Sequence, residues 1–158
     1  HPQSPLDEKQ RENFDGLAYF EPNAALDLIV PVERFASTEP MIEMETSTGD
    51  VRPYRRWGRI TFEVNGESAS LTIYSDVYGQ EFFLPFRDAT SGKETYGAGR
   101  YLDNSRPGLA DLGNGRFKID FNYSYNPYCA YNPHYSCPLP PRENWLSVPI
   151  RAGEKDFT

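Results

Sequence analysis

Residues 51–71, VRPYRRWGRITFEVNGESASL, decide the fold. Asn65-Gly66 is the preferred pair for a two-residue type I′ turn, because both positions take positive φ and the turn's twist matches that of the strands it joins. The register follows from the turn: Phe62 faces Ala69 and Ile60 faces Leu71, all on one side. A two-stranded hairpin is marginal alone, so this apolar face implies further strands around it.

Working outward, Met41 to Thr46 (MIEMET) forms an extended run that turns at Thr48-Gly49-Asp50 into Val51, so one hairpin feeds the next. Upstream, Leu26, Leu28 and Val30 alternate with Asp27 and Ile29 until Pro31, where the pattern predicts an interruption. Downstream, residues 81–86 (EFFLPF) make a short apolar strand whose proline suits an edge or a bulge. Asn114-Gly115 precedes RFKIDF, with Phe117, Ile119 and Phe121 on one face and Arg116, Lys118 and Asp120 on the other. Asp120 and Asn122 are expected to share that second face. Residues 145–150 (WLSVPI) are expected to close the sheet.

One helix is expected, at the N-terminal end. Ser4 caps it, Pro5 takes its first position, Asp7 and Glu8 sit near the positive end of its dipole and Gly16 stops it. Leu6, Gln10, Phe14 and Leu17 supply its inward stripe. The expected architecture is all-β and mainly antiparallel, barrel-like or sandwich, with this short helix and a long ordered C-terminal loop.

The 158 residues suit a single domain spanning 1–158, and no composition shift marks a boundary. Eleven tyrosines and ten phenylalanines must fill much of the interior, while 12 glycines and 14 prolines lie scattered between short apolar runs as turn formers. The net charge of −7 and the pI near 4.8 oppose nucleic-acid binding, which depends on a basic surface and released counterions. No apolar run reaches the length of a membrane-spanning helix, and no leader pattern opens the chain, which favours a cytoplasmic setting. Two cysteines are too few to decide the redox compartment, and the oligomeric state is left open.

Three stretches break the strand pattern: FRDATSGKETYGAGRYL (86–102), DFNYSYNP (120–127) and CAYNPHYSCPLPPREN (129–144). Sites commonly ride on loops held by a rigid sheet. The ordered series FRDATSGKETYGAG, GRYL, DFN, YNP, CAYN, CPLPP and EN-x-L, preceded by SPL, F-x-GL and YF, closely resembles the bacterial and archaeal domain of unknown function 1684 family over nearly the whole chain. The resemblance implies that these polar stretches are the family's signature. It implies no activity and supplies no catalytic residue.

The candidate ligand-binding residues are Arg87, Asp88, Thr95, Tyr96, Arg100, Asp120, Asn122, Tyr125, Asn126, Tyr131 and Asn144. If Arg100 leads a strand beside RFKIDF, it can meet Asp120 across the sheet, either as a structural pair or as an anion-binding arginine beside an acceptor or general base. Cys129 and Cys137 can form a disulfide closing nine residues, contributing about 2.5 kcal/mol, or remain buried thiols. A weaker alternative uses Cys129, His134 and Cys137 as metal ligands, although neither paired knuckles nor a second cluster supports it. His134 beside either cysteine would be needed for a thiol nucleophile. The repeated Tyr-Asn-Pro is explained by two tight turns. Ser91-Gly92-Lys93 matches part of a phosphate loop, but Glu94 follows and Arg87 stands where glycine is required.

The expectation is a small-ligand binding domain whose polar pocket is covered by the Cys129 to Asn144 loop. No cofactor is implied. An enzyme built on Asp120 or Cys129, and a structural or protein-interaction module, are the alternatives.

Overall fold

The computed structural model describes residues 18–156, so the expected N-terminal helix lies outside the described residues. Eight strands form a mainly antiparallel sheet: β1 (Asp27–Arg34), β2 (Ile42–Glu45), β3 (Val51–Val64), β4 (Glu67–Ser75), β5 (Phe82–Phe86), β6 (Arg100–Asp103), β7 (Leu109–Gly113) and β8 (Arg116–Asp120). Their order is β6-β5-β4-β3-β1-β8-β7, and β2 pairs with the first part of β3.

The 51–71 hairpin forms as its turn requires. Asn65 and Gly66 take φ of 52° and 81°, and Ile60 pairs with Leu71 and Phe62 with Ala69. Register shifts between Arg56 and Gly58. That bulge changes the phase of the strand, so Trp57 is buried as well as Ile60, Phe62 and Val64.

Two expectations about prolines need correction. β1 runs through Pro31 to Arg34, and the proline marks a change of partner: Asp27 to Pro31 pairs with β8, whereas Val32 to Arg34 pairs with β3. β5 is not an edge strand, since β6 continues the sheet beyond it. Pro85 nevertheless faces a local gap, because β4 pairs with β5 only at Tyr74 with Phe83 and Ser75 with Phe82.

Residues 145–150 do not form the expected closing strand. Trp145 makes an isolated parallel bridge with Arg87, the Leu146 amide donates to the Arg87 carbonyl at 2.7 Å, and the Ala89 amide donates to Val148 at 3.0 Å. Pro149 then supplies no donor and the ladder stops. The segment still contributes Val148, Ile150 and Ala152 to the core. Conversely β7, with only Leu109 buried, carries no apolar alternation that would have revealed it. Asn114 and Gly115, both at positive φ, turn it into β8.

The sheet curls into a half-barrel around these apolar side chains. Phe82 of β5 meets Phe117 of β8 edge-on, with centroids 5.3 Å apart, although three strands, β4, β3 and β1, lie between theirs in the sheet. Trp57 completes that cluster at 4.8 Å from Phe82 and 5.7 Å from Phe117. Phe121 packs at 5.4 Å from Phe62 and 5.5 Å from Phe86, and Ile150 and Ala152 join the same core.

Candidate functional site

Part of the signature, Asp88, Thr90, Thr95 and Arg100, forms a buried locking network. Arg100, the first residue of β6, is preceded by Gly99 at φ +106°, where a Cβ would stand 2.5 Å from the Phe86 carbonyl oxygen. Only glycine allows that approach. The Arg100 side chain is wholly buried. Its guanidinium donates to the carbonyls of Ile150 at 2.8 Å, Glu154 at 3.1 Å and Ala152. Burial pulls its pKa below the usual arginine value, opposed by the Asp88 carboxylate at 3.5 Å. Asp88 also accepts from the Ile150 amide at 2.6 Å and the Thr90 hydroxyl at 2.8 Å, and that hydroxyl contacts Thr95.

The expected contact between Arg100 and Asp120 does not form. β6 pairs with β5, not β8, so Arg100 faces Asp88 and the C-terminal segment. Asp120 instead caps the short turn at Phe121–Tyr123, accepting from the Asn122 amide at 3.0 Å and its side-chain nitrogen at 2.8 Å. Asn122 thus leaves the strand face and binds Asn23 through both its side-chain groups. Arg87 lies over the Trp145 ring, 4.5 Å from its centroid. Tyr96 is half-buried, and burial with the nearby Asp156 raises its pKa.

Asn144 fills the gap between β4 and β5. Its side-chain oxygen accepts from the Thr72 amide at 2.8 Å, and its nitrogen donates to the carbonyls of Thr72 at 2.9 Å and Pro85 at 2.8 Å. The amide stands in for a stretch of strand where proline supplies no partner. Neighbouring Glu143 receives Arg56 bidentately at 2.7 and 3.1 Å and the Tyr74 hydroxyl. Burial raises the Glu143 pKa, but hydrogen bonds from Arg56 and Tyr74 outweigh it and leave the carboxyl below its usual range.

Glu154 was not among the residues expected from sequence. It is buried, accepting the Asn126 amide at 2.8 Å through one oxygen and the Tyr131 hydroxyl through the other. Its pKa is raised, chiefly by burial. Asn126 also donates to Tyr131 at 3.1 Å and the Lys155 carbonyl at 3.1 Å. Tyr125 bridges Tyr101 through the backbone and donates its hydroxyl to Asp103.

Cys129 and Cys137 are joined, with Cα atoms 6.2 Å apart. Both sulfurs are therefore spent, and the Cys129, His134 and Cys137 metal set and a thiolate nucleophile have no place in this state. The His134 side chain is exposed, and no hydrogen bond or ion pair joins Asp120 to His134 or either cysteine among the described residues. The disulfide loop docks on the β2 to β3 turn through Ser47, whose hydroxyl accepts from the Cys137 amide at 3.1 Å and donates to the Tyr135 carbonyl at 3.1 Å. In that turn Asp50 accepts from Thr46, Thr48 and Ser136, which hold its carboxyl far below the usual range.

An open cleft of about 470 Å³ lies away from this network. It forms where β1 ends, β3 bulges and the β4 to β5 turn crosses, lined among others by Arg34, Phe35, Arg55, Trp57, Tyr78, Phe82 and Asp111. None of the sequence candidates lines it. The signal was in Arg55-Arg56-Trp57-Gly58, which interrupts the polar and apolar alternation of β3 at the bulge. Glu154 was hidden by its place in a charged tail.

Asn144→Ala should lower the unfolding free energy by about 3 kcal/mol or more, because three buried backbone groups lose their partner; urea denaturation checks this, and a loss under about 1 kcal/mol contradicts it. Glu154 supplies a pH test. Its folded pKa lies above the ordinary value of 4.5, so its contribution is intact below that value and is lost as pH rises through the folded pKa. Thermal unfolding of Glu154→Gln, which cannot ionise, should show a flatter profile than the wild type as pH rises above the ordinary carboxyl value of 4.5; parallel profiles would contradict the reading.

Residues 12–155 match the family described as Protein of unknown function (DUF1684). The fold is similar to the solution NMR structure of an uncharacterized protein of Haloarcula marismortui, with a TM-score of 0.72 and 34% identity, over 97% of this chain and 83% of that one. A comparison with curated proteins finds no match. The chain belongs to the DUF1684 family.

Proposed function

We propose that this chain is a small-ligand binding domain, and that its ligand occupies the cleft at the β3 bulge and not the signature network. The observation that carries this is the placement of open volume. Asp88, Arg100, Asn144 and Glu154 are buried and bonded to one another's segments. The cleft, by contrast, is an open concavity within the usual size range of small-molecule sites, with aromatic walls and charged groups at its rim.

Hydrogen bonds and ring stacking tie its frame together. Arg55 donates to the carbonyls of Ser37 at 2.8 Å and Val77 at 3.3 Å, tying the end of β1 to the β4 to β5 turn. Arg56 stacks over Phe35, 4.2 Å from the ring centroid, while Glu39 and Glu143 neutralise it. The floor is Trp57, held edge-on by Phe82 and Phe117. A purely structural module is the competing reading, supported by the hydrogen bonds through which Asp88, Arg100, Asn144 and Glu154 join separate segments of the chain.

A fragment set of small organic acids, amines and neutral aromatics, screened by backbone chemical-shift mapping, tests the proposal. Hits should shift the amides of residues 34–37, 55–57 and 77–79 and leave those of 88–100 and 144–154 in place. Shifts confined to the second group would return the site to the signature, and a screen without hits would favour the structural module.

A further inference from the structure

Resting on that reading, we infer that the cleft selects a planar aromatic ligand bearing one carboxylate, with Arg34 as the group that receives the anion. Arg34 sits at the end of β1 with its guanidinium carbon 3.8 Å from the centroid of the Trp57 ring, and its Nε donates to the Trp57 carbonyl at 3.1 Å. Stacking and that hydrogen bond fix the plane of the guanidinium before any ligand arrives. Its two terminal nitrogens have no acceptor among the described residues, which leaves the side of the fork that matches a carboxylate.

The local charge favours an anion although the whole chain is acidic. Arg56 and Arg59 together are neutralised by Glu39 and Glu143, but Arg34 and Arg55 have no carboxylate partner among the described residues. Among the described residues Asp111 is the only carboxylate lining the cleft, and its side chain accepts from the Gly113 amide. One excess positive charge calls for one negative charge on the ligand. The flat part follows from the walls: Phe35 and Phe82 line the cleft, and Tyr78 stands at its rim with 80% of its surface exposed. A ring entering between them would cover aromatic surface now facing water.

The test is a pair of probes of equal shape, 2-naphthoate and neutral 2-naphthamide, with inorganic phosphate as a third, titrated against the Trp145→Phe protein so that Trp57 is the sole tryptophan reporter. Naphthoate should bind at least about tenfold more tightly than naphthamide, and its affinity should fall as salt rises. Arg34→Gln should abolish that preference, bringing naphthoate affinity down to that of naphthamide, and an unchanged backbone chemical-shift pattern away from the cleft shows that the variant is folded. Tyr78→Ser, altering an exposed turn residue, should weaken both naphthyl probes together. Equal binding of naphthoate and naphthamide would overturn the anion selectivity and leave the cleft itself standing. Phosphate binding as tightly as naphthoate would overturn the aromatic requirement. Binding of none of the three would overturn this ligand class, and the broader fragment screen would then decide whether the cleft binds anything.

Discussion

A guanidinium buried without solvent sets the terms for the signature half of the molecule. An arginine in that position is strongly unfavourable unless its charge is compensated, and Arg100 is met by Asp88 and by three carbonyls of the segment from Ile150 to Glu154, with only its Nε left without a hydrogen-bond partner among the described residues. Those carbonyls belong to a stretch that Pro149 keeps from forming a ladder. Arg100 thus does for the C-terminal segment what a neighbouring strand does elsewhere, and Asp88 completes the exchange by accepting the Ile150 amide. With that segment fixed, Val148, Ile150 and Ala152 can fill the open side of the curled sheet.

Asn144 and Glu154 repeat the device at two other gaps. In each case a side chain supplies hydrogen-bonding groups where irregular or proline-containing backbone cannot: Asn144 between Thr72 and Pro85, Glu154 against the Asn126 amide. A half-barrel built from short, proline-interrupted strands leaves many such gaps. This gives the dense polar signature a structural role, and separates it from the cleft at the β3 bulge, where arginine and aromatic side chains face open volume.

The sheet was legible where local rules act alone. The Asn65-Gly66 turn determines its own register, and the alternation in residues 116–121 marks an inward face irrespective of its neighbours. β7 was invisible because an edge strand with one buried residue needs no apolar pattern. The partner of Arg100 was illegible for a different reason: it depended on whether β6 lies beside β5 or β8, a long-range choice that no nearby residue records. The named polar residues proved to be packed together in part, as Asp88 with Arg100 and Asn126 with Tyr131, while Asp120 and Asn122 cap a separate turn. Cleft residues escaped notice because their proximity comes from a bulge and a turn 20 residues apart in sequence, Trp57 and Val77.

Native-state hydrogen exchange at the Ile150 amide tests most directly the claim that the signature network locks the fold. If Arg100 and Asp88 hold the C-terminal segment as part of the core, this amide should exchange only through global unfolding, within about 1 kcal/mol of the slowest amides of the β3 and β4 ladder. Exchange through a local opening several kcal/mol below the global value would contradict the account, because the segment would then be a movable cover over an accessible arginine.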